Sequence, residues 1–185
     1  MKKTPKIRCD CGGVLKPATL AKYDFTPYAG IPVHLSNVRG YRCSKCGDES
    51  IDGATINHTL NLVAYELTQI PNHRLNGAAA RYLRKRLGFT QARLAEAMDI
   101  SRETVADWER GARDISAGYD HMLRTFVFTL LVRTNTIATT SLLPGLIMLR
   151  REKPLKSVTL PKSAIEDINK KLQEGVPTNM IYEAA

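Results

Sequence analysis

The segment Arg81–Gly111, RYLRKRLGFTQARLAEAMDISRETVADWERG, constrains the fold more than any other part of the chain. It contains three short helices with sharp punctuation between them. The first turns Leu83 and Leu87 inward and stops at Gly88, a glycine placed where helices end in a left-handed residue. Thr90 caps the second, Gln91–Met98, whose Leu94, Ala95 and Met98 face the core. Ala95 is small, so a crossing helix can approach closely. Asp99 takes the turn, and Ile100 plugs the space between the helices. Ser101 caps the third, Arg102–Arg110, and Gly111 ends it. Val105 and Trp108 lie on its buried face, which leaves Arg102, Glu103, Ala106, Asp107 and Arg110 facing solvent. A helix of about two and a half turns, anchored on one face and free on the other, fits a DNA major groove.

The caps, the small Ala95 and the apolar Ile100 agree in register. The stretch resembles the helix-turn-helix of the phage-repressor family (Cro/C1, or XRE). That resemblance implies phosphate contacts from Gln91 and Thr104, and base-facing positions at Arg102, Glu103 and Asp107. It also implies an inward ion pair between Arg84 and Glu109 that ties helix one to helix three. Arg93, Ser101 and Arg110 complete the expected DNA-binding set. Arg81, Lys85, Arg86 and Arg93 form a basic cluster that can neutralise phosphates, each adding about one unit to the salt slope of binding. Asp99 stands where the family commonly has glycine, and Asp tolerates the left-handed conformation. Two of the three base-facing side chains are acidic. Asp and Glu accept from cytosine N4 but are repelled by phosphates. Either the protein reads a cytosine-bearing site with Arg102 on guanine, or its DNA contacts have shifted. Glu103 also suits the helix N-terminus electrostatically, which is a purely structural reason for it.

The second constraint is the cysteine pattern. Cys9-Asp10-Cys11 and Cys43-Ser44-Lys45-Cys46 form two pairs separated by 31 residues. Two close pairs delivered from two tight turns are how a structural zinc site closes its tetrahedron. Gly47 after the second pair and Gly12-Gly13 after the first supply the turns. The first pair is one residue tighter than usual. If Cys9 cannot reach, His34 is the nearest substitute. The expectation is one structural Zn2+ per chain on Cys9, Cys11, Cys43 and Cys46, stapling a segment with few large apolar residues. Free thiols and a redox-active Cys43/Cys46 pair are the alternatives.

Together these features resemble the MqsA (YgiT-type zinc finger) antitoxin family. The likeness rests on the run from Gly40 to Ile51, on the spacing of the cysteine pairs and on the helix-turn-helix, and covers roughly residues 7–135. It implies a homodimer that binds a palindromic operator, represses its own operon, and binds a small toxin through the zinc segment. A stand-alone transcription factor that keeps the zinc module for stability is the alternative. An enzyme is not expected, because no general base, nucleophile or phosphate loop stands out.

The remaining chain is less constrained. Val33–Ser36 and Val38–Arg42 look like short strands separated by Asn37. Ile56, Leu60, Val63 and Leu67 form one apolar stripe of a helix over 51–70 that Pro71-Asn72 ends. Tyr119–Val132 is apolar enough for a helix buried on most sides. Ser141–Arg151 suggests a further helix, Val158–Leu160 an extended piece, and Ser163 a capping box for a helix to Gln173 that stops at Gly175. The fold class is thus α+β, mainly α. A β-hairpin zinc-binding domain (1–52) precedes a helix and linker (53–74). A five-helix-type helix-turn-helix domain (75–135) follows, then a C-terminal extension (136–185) that either completes a dimer interface or wraps the helical domain in cis. The N-terminus has no apolar stretch behind its lysines, and the uncharged run Thr134–Leu149 is short for a membrane span, so a soluble cytoplasmic protein is expected. The net charge of +9 suggests an anionic partner only weakly. Residues 1–50 alone hold nine Lys and Arg against four Asp and Glu, whereas Arg102–Arg110 carries two positive and three negative side chains.

Overall fold

The computed structural model describes residues 7–70, 73–134, 153–154 and 158–174. In chain order the elements are β1 (Leu15–Asp24), α1 (Thr26–Ala29), β2 (Val33–Cys43), β3 (Glu49–Ser50), α2 (Gly53–Gln69) and β4 (His73–Arg74). They continue with α3 (Gly77–Arg86), α4 (Gln91–Ala97), α5 (Arg102–Arg110), α6 (Ala117–Arg133), β5 (Lys153–Pro154), β6 (Val158–Thr159) and α7 (Lys162–Glu174). The architecture is α+β with helix predominating: an N-terminal hairpin carries the cysteines, and helices follow.

β1 and β2 pair antiparallel, from Leu15 opposite Cys43 to Asp24 opposite His34. The two β-like pieces expected on either side of Asn37 are one strand. Asn37 adopts a left-handed φ of 56° inside it, a conformation that Asn accepts more readily than most residues. Side chains alternate between faces along a regular strand. Across Asn37 the buried positions change from Val33 and Leu35 to Val38 and Gly40, and on β1 they change from Leu20 to Tyr23. Both strands switch parity at the same level, so the apolar groups stay on the inner face. β3 pairs with Tyr41–Arg42 on the other edge of β2, and β6 runs parallel to Val33–His34.

α2 packs against α3, α6 and α7. Asp52 caps it by accepting from the Thr55 N–H. Its buried residues include Thr55, Thr59, Leu62, Val63, Ala64, Leu67 and Thr68. That spread is too wide for the single stripe expected, because the helix is covered from more than one direction. The Pro71-Asn72 stop lies outside the described residues.

A buried polar cluster fastens the end of α2 to α6. Arg124 Nε donates to Asp120 Oδ2 at 3.1 Å, Nη2 donates to the His73 carbonyl at 2.8 Å, and Nη1 donates to the Leu67 carbonyl. The Leu75 N–H donates to Asp120 Oδ1 at 2.9 Å. A buried ion pair persists where such additional bonds satisfy it. α6 is the apolar helix expected over Tyr119–Val132, but it buries a narrower face: Leu123, Val127, Phe128 and Leu131 are inside, and Met122 is exposed.

The described part of the C-terminal extension folds back in cis over the N-terminal sheet. Val158, Leu160, Ala164, Ile165 and Ile168 are buried, and α7 packs against β2 and α2. The Asn169 amide fills the gap between β3 and β6 on the edge of β2. Its Oδ1 accepts from the Arg39 N–H at 2.8 Å, and its Nδ2 donates to the Asn37 carbonyl at 3.3 Å. His58 on α2 pairs with Asp167 on α7 at 2.6 Å. α7 begins at Lys162, one residue before the expected Ser163 cap. The helix expected over Ser141–Arg151 and the stop at Gly175 lie outside the described residues. Among the described residues, no helix is long and apolar enough to cross a membrane.

Candidate functional site

Two turns carry the cysteines to one point. In the first, the Gly12 N–H donates to the Cys9 carbonyl at 2.8 Å and the Cys9 N–H to the Gly13 carbonyl at 2.9 Å. In the second, the Gly47 N–H donates to the Cys43 carbonyl at 3.1 Å. Gly12 and Gly47 reverse the chain at φ of 80° and 78°. Ser44 N–H donates to the Val14 carbonyl at 3.0 Å and locks the two turns together. All four Sγ atoms lie within 4.8 Å of one another. Cys9–Cys46 and Cys11–Cys43 are 3.7 and 3.5 Å apart. A tetrahedral thiolate site with metal–sulfur bonds of about 2.3 Å has edges of about 3.8 Å, so the cluster has the dimensions to hold a metal ion. Cys9 reaches the cluster despite the tight spacing. His34 stands outside it, 3.9 Å from Asp24.

The sulfurs sit among amides. Gly13 N–H points at Cys11 Sγ and Lys45 N–H at Cys43 Sγ, each at 3.4 Å. The Cys46 and Lys45 amides pull the Cys43 thiol down to about 6. At Cys11 the Gly13 amide works in the same direction, but the neighbouring Cys46 and Cys43 sulfurs outweigh it and push the thiol up to about 12. Four thiols this close do not all ionise without a cation among them. Gly13 is needed for a second reason: a Cβ there would lie 2.6 Å from Cys43 Sγ and 2.8 Å from Lys45 Cβ.

The second candidate site is the helix-turn-helix, and its frame is local. Asn76, Thr90 and Ser101 cap α3, α4 and α5 by accepting from the Ala79, Arg93 and Thr104 N–H groups. Asp99 turns the chain at φ 53°, and Gly88 and Gly111 end their helices at 69° and 73°. Leu83, Leu94, Ala95, Met98, Val105 and Trp108 form the core, with Leu87 and Ile100 partly buried against it.

Behind α5, Arg84 and Glu109 form a nearly buried pair. Arg84 Nε donates to Glu109 Oε1 at 2.5 Å and Nη2 to Oε2 at 3.1 Å, and Nη1 donates to the Phe89 carbonyl at 2.5 Å. Gln91 Nε2 also donates to Glu109 Oε2, at 2.9 Å. The amide expected to touch a phosphate is therefore engaged within the fold through one of its two N–H groups. Burial alone would push the Glu109 carboxyl up, but the hydrogen bonds from Arg84 and Gln91 prevail and hold it below its ordinary value. Gly77, which the sequence reading missed, allows this arrangement. Its Cβ would lie 2.1 Å from the Trp108 carbonyl oxygen, so α3 crosses α5 at bare backbone. No local pattern marks it, because the atom it makes room for lies in a different helix.

The outer face of α5 presents Ser101, Arg102, Glu103 and Arg110 exposed, with Thr104, Ala106 and Asp107 half-buried. Ser101 Oγ and Thr104 Oγ1 are 3.1 Å apart. Asp107 and Arg110 form an ion pair at 2.5 Å. Of the basic cluster, Arg81, Lys85 and Arg93 are exposed, with the Arg93 guanidinium 5.1 Å above the Phe89 ring. Arg86 instead turns to Asn61 on α2. A narrow anchored helix with an outward face and exposed cations beside it can contact both bases and phosphates of a duplex.

No curated protein and no solved structure matches the chain. A family model described as helix-turn-helix matches residues 81–119. The match covers all of α4 and α5 and supports a DNA-binding transcription regulator.

Proposed function

We propose that this protein is a sequence-specific transcriptional repressor of the cytoplasm that binds a double-stranded operator as a homodimer. The observation that carries this is the presentation of α5. Its inner side is fixed by Val105, Trp108 and the Arg84–Glu109 pair, and its outer side is free. In this reading residues 75–135 are the DNA-binding unit. Arg102, Glu103, Asp107 and Arg110 face the groove, while Gln91, Arg93, Ser101 and Thr104 meet the backbone. The cysteine segment holds one Zn2+ per chain as a closed four-sulfur structural site, a donor set that suits zinc. Selection from randomised duplex DNA tests the operator preference. Arg102→Ala should abolish that preference and leave the melting temperature unchanged; an unchanged footprint would refute the assignment of α5.

In the fuller form of this reading the protein is the antitoxin of a type II toxin-antitoxin pair. It binds a small toxin through the cysteine segment and represses its own operon. Its support is the likeness of the Gly40–Ile51 run and of the cysteine spacing to that antitoxin family. The alternative is a zinc-stabilised transcription factor without a toxin. One observation favours it: β6 and α7 lie on β2 and α2, so part of the N-terminal surface is already covered in cis. Co-purification with the product of the adjacent gene separates the two. A stable complex supports the antitoxin, and no complex at micromolar concentration leaves the stand-alone regulator.

A further inference from the structure

We infer that Asp107 does not read DNA itself but positions Arg110, whose guanidinium reads a guanine in the major groove. This rests on the DNA-binding role proposed for α5. Two acids on a surface that meets phosphates are a liability unless something neutralises them or uses them. The structure treats the two acids of α5 differently. Glu103 sits in the first turn, where the helix N-terminus favours a negative charge. Asp107 lies three residues before Arg110, on the same face of the helix. Arg110 Nη2 donates to Asp107 Oδ1 at 2.5 Å.

The order of exposure decides which of the pair meets a ligand first. The Arg110 side chain is 69% exposed and that of Asp107 is 36% exposed, so the guanidinium stands outside the carboxylate. A guanidinium has five N–H donors, and the bond to Asp107 engages one nitrogen. The rest of the fork remains for the O6 and N7 acceptors of guanine, the pairing that suits arginine best. The backbone beneath is fixed as well. The Asp107 carbonyl accepts from the Ala112 N–H at 2.9 Å, and Gly111 closes the helix immediately after Arg110. Arg102 and Arg110 are eight residues apart, or about 12 Å along the axis. The pairing also cancels the charge of Asp107, which would otherwise repel the backbone.

The test is selection from a randomised duplex by the full-length, metal-loaded protein. It is run for the wild type, Asp107→Ala, Arg110→Ala and the double variant, with melting temperature and salt slope measured for each. The expected result is one guanine position whose preference falls about tenfold or more in Arg110→Ala. The same position should weaken in Asp107→Ala, the double variant should be no worse than Arg110→Ala, and melting temperatures should not change. Loss of preference at a different base pair in Asp107→Ala would show that the carboxylate itself reads DNA, and would overturn the inference. A uniform loss of affinity in Arg110→Ala, with a salt slope lower by about one unit, would place Arg110 on a phosphate and overturn it too. In both cases the wild type would still select an operator. A wild type that selects no sequence would overturn the DNA-binding role as well.

Discussion

Gly77→Ala isolates the contact that sets the helix-turn-helix. Gly77 is the first residue of α3, and the added methyl carbon would lie 2.1 Å from the Trp108 carbonyl oxygen and 3.0 Å from the carbonyl atoms of Glu109. The obstacle is backbone, which cannot rotate away, so α3 and α5 must separate by about 1 Å or more to reach ordinary contact. Overpacking of this kind costs about 1–3 kcal/mol. The same displacement stretches the Arg84–Glu109 bonds, which are 2.5 and 3.1 Å in the native structure. Against this stands a gain of about 0.4–1 kcal/mol from the stiffer unfolded chain. The expected net loss is about 1–2 kcal/mol, or a fall in melting temperature of about 2–8 °C at this chain length. Gly53 and Gly118 also lie in the first turns of helices, and a methyl group at either meets nothing within 4 Å. Gly53→Ala and Gly118→Ala should therefore be neutral or stabilising. Thermal unfolding followed by circular dichroism compares the three. If Gly77→Ala melts with or above the wild type while the two controls behave as expected, the close crossing of α3 and α5 is wrong.

Four further outcomes follow from the geometry. Arg84→Met should lower stability by about 3–5 kcal/mol, because it strands the nearly buried Glu109 carboxylate. Because the folded carboxyl lies below its ordinary value of 4.5, its contribution is fully present above that pH and is lost as the pH falls through the lower folded value. The stability gap between wild type and Glu109→Gln should therefore narrow on acidification in denaturant titrations, and a gap that widens would contradict the pairing. Gly13→Ala, which drives a methyl group against Cys43 Sγ, should weaken metal retention by about 10–100-fold in a chelator competition. Asn169→Ala should speed hydrogen exchange at the Arg39 N–H and lower stability by about 1 kcal/mol, with more self-association because the edge of β2 is opened.

Legibility in the sequence followed the range of the interactions. Thr90, Ser101, Asp99 and Gly111 act on atoms within a few residues of themselves, so α4 and α5 were readable almost to the residue. The cysteine cluster was readable because metal geometry admits few spacings. β1 was not, because its apolar alternation changes parity between Leu20 and Tyr23 and no strict period marks it. Arg124 and Asp120 carry no signal in the sequence. Their partners are the carbonyls of Leu67 and His73 and the N–H of Leu75, about fifty residues away in sequence, and no local pattern announces them. Gly77 and Asn169 were missed for the same reason, since each answers to backbone that only folding brings near.

Those long-range contacts also determine how the two halves can influence each other. α2 follows the cysteine segment directly, yet it belongs to the helical half as much as to the hairpin. The Tyr82 hydroxyl on α3 donates to the Leu60 carbonyl of α2 at 2.6 Å, Arg86 reaches Asn61, and Arg124 grips both the last turn of α2 and the strand β4 beyond it. From the other direction α7 packs on α2 and β2 together. A free hinge would need a segment with few buried contacts, whereas α2 and β4 are held to α3 and α6 by these hydrogen bonds. A partner bound to the cysteine segment would therefore meet a body already joined to the helix-turn-helix. In the proposed antitoxin role, toxin binding would change DNA affinity by adding surface and charge beside the operator rather than by swinging one half against the other. Replacing Arg124 with Met, which keeps much of the volume and removes those bonds, should loosen this coupling. The expected sign is faster hydrogen exchange at Leu75 with operator preference intact. Unchanged protection there would show that apolar packing of α2 on α6 suffices to hold the halves together.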